Sequence, residues 1–142
     1  MQRTEHWNHV YKTKAADDVS WYQRTPAISL SLIQKSGMAL DAGIIDVGGG
    51  ASVLAENLLA AGYSRLAVLD ISPAALAQSR QRMGASAASV EWIVADITEF
   101  VPSRQFGVWH DRAVFHFLTG QSERRQYVGA LTSALLPGGH AI

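Results

Sequence analysis

Cysteine is missing from all 142 residues, which excludes disulfides, thiolate metal sites and a cysteine nucleophile. Thiol usage therefore leaves the redox compartment open. Charge of one sign is missing too, since 12 Lys and Arg balance 12 Asp and Glu. A neutral chain without a basic stripe has no electrostatic footprint for nucleic acid, so no nucleic-acid partner is expected. No apolar run reaches the roughly 18 residues of a membrane span. The start, Met1-Gln2-Arg3-Thr4-Glu5-His6, is too polar for a secretory signal. With no membrane association expected, a cytoplasmic protein is the simplest reading. Proline is scarce, and Pro26, Pro73 and Pro137 all stand where a helix is expected to begin or end. What remains, 48% hydrophobic and 17% charged, is ordinary for one globular domain with a real core.

The organising stretch is Ile44-Ile45-Asp46-Val47-Gly48-Gly49-Gly50-Ala51-Ser52. A short apolar run carries an acid, three glycines follow, and a helical pattern begins at Val53. That order predicts strand, tight turn and helix, with bare backbone for a ligand to approach.

Before it, residues 1–25 show aromatic and polar groups without helical or alternating period, and are expected to form an arm or lid over a domain at 26–142. Thr25-Pro26 and Gly37 bracket a helix over roughly 26–36. After the glycine turn a helix is expected over 52–61, with Leu54, Leu58 and Ala61 on its inner face. Strands follow at 66–70, 90–94 and 106–110. Ser72-Pro73 caps a helix running to Met83. A last helix over 122–136 would bury Val128, Leu131 and Leu135. Pro137-Gly138-Gly139 would break it before a fifth strand starts at His140 and the chain stops. The alternation predicts an α/β fold with a parallel sheet, whose ligands sit beyond the carboxyl ends of the strands. Asp46, Asp70, Asp96 and Asp111 all fall at such ends. A purely structural sheet has no need of four acids along one rim.

Three ligands fit a glycine turn in principle. A nucleoside-triphosphate loop needs lysine and a hydroxyl after its last glycine, and Ala51-Ser52-Val53 has no lysine. A nicotinamide or flavin site, and with it an oxidoreductase, wants a third glycine where Val53 stands. It would also set a pyrophosphate against Asp46. An adenosyl sulfonium with an amino-acid tail has no phosphate, and its cationic amine suits Asp46. Asp70, at the end of the second strand, can accept from both ribose hydroxyls, with Ile71 against one adenine face. Asp96 can accept from the adenine amine, with Ile97 as the second apolar wall.

In these residues the chain resembles a class I S-adenosylmethionine-dependent methyltransferase. The resemblance is carried by Ile44 to Gly50, Val68-Leu69-Asp70-Ile71-Ser72 and Val94-Ala95-Asp96-Ile97, with Trp109-His110-Asp111-Arg112 and Leu136-Pro137-Gly138-Gly139 behind them. It implies S-adenosylmethionine as cofactor, a Rossmann-like parallel sheet, and cofactor contacts at Asp46, Gly48, Gly50, Asp70, Ile71, Asp96 and Ile97. No metal is implied. The arm, Tyr11-Lys12-Thr13-Lys14 through Val19-Ser20-Trp21-Tyr22-Gln23, is similar to that of a small subgroup containing protein-lysine methyltransferases and bacterial members. There the arm folds over the cofactor, which implies a contact from Trp21. Ser52 departs mildly from the usual glycine. The family continues with two more strands and a helix, so the fold is expected to be incomplete on its carboxyl-terminal side.

Methyl transfer is an in-line displacement that needs a positioned acceptor and excluded water. Asp111, ending the fourth strand beside the glycine turn, is the expected catalytic residue, orienting or deprotonating a small-molecule or protein-lysine acceptor. The same carboxylate has a plainer use in capping the next segment. His116 is a second candidate base, and His110 is expected to point to the opposite face. The rival to an enzyme is a cofactor-binding remnant without activity, whose exposed sheet edge invites self-association.

Overall fold

A computed structural model describes residues 2–13 and 26–142. Five parallel strands, β1 (Gly43–Val47), β2 (Arg65–Asp70), β3 (Val90–Val94), β4 (Phe106–Asp111) and β5 (Leu135–Ala141), form one sheet in the order β3-β2-β1-β4-β5. Central β1 is buried from Ile44 to Val47, Asp46 included, because both faces are covered, as parallel sheets require. Side chains alternate between two cores. Ile44, Leu66, Val68 and Val108 face one core, together with Ile33, Leu54, Leu58 and Leu76. Those partners come from α2 (Ala27–Lys35), α3 (Leu54–Ala60) and α4 (Pro73–Met83). Ile45, Val47, Ala67, Leu69 and Trp109 face the other core, covered by α6 (Gln121–Ala134) and by Leu118, which follows the single turn α5 (Val114–Phe117).

Helix α4 starts as expected. Ser72 Oγ accepts from the Ala75 amide at 3.1 Å and Pro73 takes the first helical position, where its missing N–H costs nothing. Three expectations differ. Residues Gln2–Thr13 form a helix, α1, although their sequence has no apolar stripe. Helix α6 buries Tyr127, Ala130 and Ala134, while Val128 is exposed and Leu135 already belongs to the next strand. Strand β5 begins at Leu135, so Pro137-Gly138-Gly139 lies inside it. The six residues from Leu135 to His140 face only the three from Phe106 to Val108, a bulge that Gly138 permits with φ of +80°. The fifth strand is therefore a seven-residue element along β4, not a stub begun at His140. No helix among the described residues is long and apolar enough to cross a membrane.

Candidate functional site: an adenosyl-shaped cavity

A cavity of about 320 Å³ opens at the carboxyl ends of β1 and β2, beside the boundary of β1 with β4 where the strand order reverses. Its floor is Val47, Gly48, Leu69 and Asp70, and one wall is Ile71, Ala95, Asp96 and Ile97. The opposite wall comes from the segment after β4, with Val114, Phe117 and Leu118. Its roof is α1, through Arg3, His6 and Trp7.

The glycines have separate reasons. Gly48 turns with φ of +73° and donates its amide to Leu69 carbonyl oxygen at 2.7 Å, while Val114 packs where a Cβ would stand. At Gly49 a Cβ would overlap the Asp46 carboxylate. The Gly50 amide donates to Asp70 Oδ2 at 3.0 Å, and the Ser72 amide to Asp70 Oδ1 at 2.9 Å. Asp70 is 6% exposed, and burial pushes its pKa up to about 6. Those amides pull the other way, and the charge of Asp46 adds to the rise.

Asp96 lies in the wall with its Oδ1 accepting from the Thr98 amide at 2.9 Å and hydroxyl at 2.7 Å. Arg3 reaches it from the roof, with Nη1 3.2 Å from Asp96 Oδ2 and Nη2 3.0 Å from Glu123. Helix α1 is pinned at two further points. Asn8 Oδ1 accepts from the Ser72 hydroxyl at 2.6 Å and the Ala74 amide at 3.3 Å, at the start of α4. Trp7 meets Phe117 edge to face with centroids 5.5 Å apart.

Residues 44–139 match the methyltransferase domain family. The chain belongs to that family. Nodulation protein S of Rhizobium tropici is 34% identical over 101 residues, which cover 71% of this chain and 42% of that protein. The chain thus spans less than half the length of this curated relative. Among solved structures, the N-methyltransferase NodS from Bradyrhizobium japonicum WM9, in complex with S-adenosyl-L-homocysteine, superposes with a TM-score of 0.70 at 23% identity. It covers 94% of this chain and 70% of that one. The glycopeptide N-methyltransferase MtfA complexed with S-adenosylmethionine gives a TM-score of 0.70 at 19% identity, covering 84% of this chain and 57% of that one. The sheet is that of the class I S-adenosylmethionine-dependent methyltransferases.

In this methyltransferase domain Gly48, Asp70, Ile71, Asp96 and Ile97 line the cavity together. Gly50 does not line it but fixes Asp70 from behind. Asp46 lies beneath the turn, 4% exposed, with Oδ1 2.8 Å from His110 Nδ1 and Oδ2 without a hydrogen-bond partner. Trp21 falls outside the described residues. Asp111 is turned away from the cavity. Its Oδ1 accepts from the Val114 amide at 2.8 Å, and its Oδ2 from the Phe115 amide at 3.0 Å and the Tyr127 hydroxyl at 2.5 Å. In this geometry its carboxylate caps α5. His116 is exposed on α5, outside the cavity.

The sequence reading expected an arm over the domain but did not single out Arg3, His6 and Trp7 in it, nor the wall after β4. Arg3, His6 and Trp7 are spaced i, i+3, i+4, one helical face, but a polar one that a search for apolar period passes over. Ala113 adopts φ of +78°, a left-handed turn that alanine rarely takes and that swings α5 over Gly48.

Proposed function

We propose that the chain binds S-adenosylmethionine in this cavity and transfers its methyl group to an amine nitrogen on a small molecule. The observation that carries the cofactor reading is Asp70. It is a buried carboxylate held by two amides at the end of β2, flanked by Ile71 and facing Asp96 and Ile97 across a space of adenosyl size. The unpartnered Asp46 Oδ2 under the glycine turn fits the same ligand, whose tail brings a cationic amine. The bound cofactor supplies a methyl group already activated on a sulfonium. This chain's residues hold the adenosine between apolar walls, fix the ribose and tail by carboxylates, and close the space to water with α1 and α5. Asp111 contributes by holding α5 in place, and the acceptor amine enters as its free base.

Support for an amine acceptor comes from the named activity of the NodS structure and from the nodulation protein S relative. Residues 1–25 act as the lid of the 26–142 domain, with Trp21 as the cofactor contact that the family resemblance implies. The β5 edge, with Leu136 exposed, is the surface through which copies would associate. The protein works in the cytoplasm.

Isothermal titration of the 142-residue chain with S-adenosylmethionine tests the binding, and transfer of labelled methyl to small amines, with a lysine peptide alongside, tests the acceptor. Saturable binding with label in an amine supports the reading. A folded chain that binds no adenosyl ligand would sink it, and label in the lysine peptide alone would move the acceptor to protein.

A further inference from the structure

Beneath the glycine turn runs a buried polar chain that the adenosine contacts leave unused. Ser29 on α2, His110 on β4 and Asp46 on β1 are 9%, 4% and 4% exposed. His110 Nδ1 lies 2.8 Å from Asp46 Oδ1, and His110 Nε2 lies 2.8 Å from Ser29 Oγ. The order serine, histidine, aspartate resembles a nucleophilic relay. Ser29 nevertheless lines no cavity and sits sealed behind the sheet, so no substrate carbonyl reaches it.

The other end of the chain is open in a different sense. Asp46 Oδ2 is buried with no donor, an arrangement that is costly until a donor arrives. It lies directly under Gly49, where a Cβ would collide with it, and the adjoining Gly48 lines the cavity. A carboxylate pinned through one oxygen presents the other in a fixed direction, as in metal sites whose ligands are oriented from behind.

We infer that His110 is a positioning residue for the amino-acid tail of the cofactor: anchored on α2 by Ser29, it holds Asp46 through Oδ1 and leaves Oδ2 to receive the tail ammonium. This rests on the adenosyl reading above.

A proton on His110 and the ammonium then compete for one buried negative charge. Burial alone would lower the His110 pKa, but the charge and hydrogen bond of Asp46, with Asp111 nearby, raise it above its ordinary value against the opposing charge of Arg112. From α2 the group that meets it is the uncharged Ser29, the one charged residue of that helix being Lys35 at its far end. From β5, His140 stands beside Val108, one register step away. With His110 protonated, Asp46 is already compensated and the ammonium is held less tightly. As pH rises through the His110 titration, Asp46 becomes the uncompensated partner and tail affinity increases.

Two ligands separate tail from adenosine. S-adenosylhomocysteine carries the ammonium, and 5′-methylthioadenosine has the adenosine without it. Both are titrated by calorimetry into wild type, His110→Phe, His110→Asn and Ser29→Ala. His110→Phe is expected to weaken S-adenosylhomocysteine about tenfold, the size of one charge-assisted hydrogen bond, and to leave 5′-methylthioadenosine within about twofold. His110→Asn keeps a donor near the Nδ1 position without the titration. It is expected to restore part of that affinity and to reduce the rise of S-adenosylhomocysteine affinity with pH to the rise that 5′-methylthioadenosine shows. Should His110→Phe fail to fold, His110→Asn and Ser29→Ala carry the same comparison. Equal losses for both ligands, or an unchanged pH profile in His110→Asn, overturn the positioning role alone. A folded wild type that binds neither ligand overturns the adenosyl reading, and the positioning role with it.

Discussion

The Gly50 amide and the Asp70 carboxylate lie 3.0 Å apart, so the third glycine of the turn and the end of β2 are locked to each other without help from a ligand. A Cβ at Gly50 would stand 2.7 Å from Asp70 Oδ2 and 2.8 Å from Ala75 Cβ, with no space to yield. Gly50→Ala is therefore expected to cost about 2 kcal/mol of stability through overpacking. If Asp70 holds the ribose as proposed, the variant should also weaken S-adenosylmethionine more than about tenfold, because that carboxylate is displaced. Urea melts and calorimetric titration check both, and a variant of wild-type affinity would show that Asp70 does not touch the ligand.

Asp70 also sets a pH dependence. Its folded pKa of about 6 lies above the unfolded 3.8, so the native state holds the proton more tightly. The stability it contributes is fully present below about pH 4 and is lost as pH rises through about 6, a change of about 3 kcal/mol at 1.36 kcal/mol per unit. Ribose hydroxyls donate to the ionised form, so adenosine affinity moves the opposite way and increases as pH rises through 6. Thermal melts of the ligand-free chain and 5′-methylthioadenosine titrations between pH 4.5 and 7.5 should show opposite slopes. Parallel slopes would assign the effect to another group.

Asp111 and Asp70 are separable by mutation. Asp70→Ala is expected to weaken S-adenosylmethionine more than Asp111→Ala does, because Asp70 lines the cavity and Asp111 caps α5. Tyr127→Phe tests the capping side. It removes the hydroxyl that donates to Asp111 and accepts from the buried Trp109 indole N–H at 2.9 Å. Leaving that N–H unpaired should cost about 1–3 kcal/mol, read by chemical denaturation. A neutral Tyr127→Phe would mean that water replaces the hydroxyl.

Arg3 joins the roof to both Asp96 and Glu123 from a position that is one-third exposed. Exposed pairs are worth less than about 1 kcal/mol, so Arg3→Ala should barely change the melting temperature. Its effect belongs to kinetics, with S-adenosylhomocysteine leaving several-fold faster as α1 loosens. Stopped-flow tryptophan fluorescence reads the dissociation rate, and an unchanged rate would place the roof contact elsewhere on α1.

Most of the sheet was readable in advance because β1, β2, β3 and β4 are short apolar runs bounded by acids or turn residues. Asp70, Ile71, Asp96 and Ile97 were readable with them, since residues at strand ends need no knowledge of side-chain direction. Asp111 shows the limit. Its place at the end of β4 was legible, but its direction is decided by the Val114 and Phe115 amides that a left-handed Ala113 brings back over it. Helix α1 was hidden because its inner face is mixed, with Arg3 on carboxylates, Asn8 on the start of α4 and Trp7 alone on apolar neighbours. Strand β5 was hidden because a bulge uses the same Pro-Gly-Gly chemistry as a chain break. The link from Asp46 to His110 and Ser29 depends on strand register across 64 residues and on a helix packed behind the sheet, neither of which local pattern contains.

The central place of β1 has a consequence for how the chain is made. One edge pairs with β2 soon after it leaves the ribosome, but the other waits for Phe106–Asp111. Until then Asp46 stays hydrated, and the nascent sheet ends in an open apolar edge of the kind that holding chaperones cover. The docking of β4 closes that edge and brings His110 Nδ1 to Asp46 Oδ1 in the same event, so the carboxylate and its hydrogen-bond partner enter the core together.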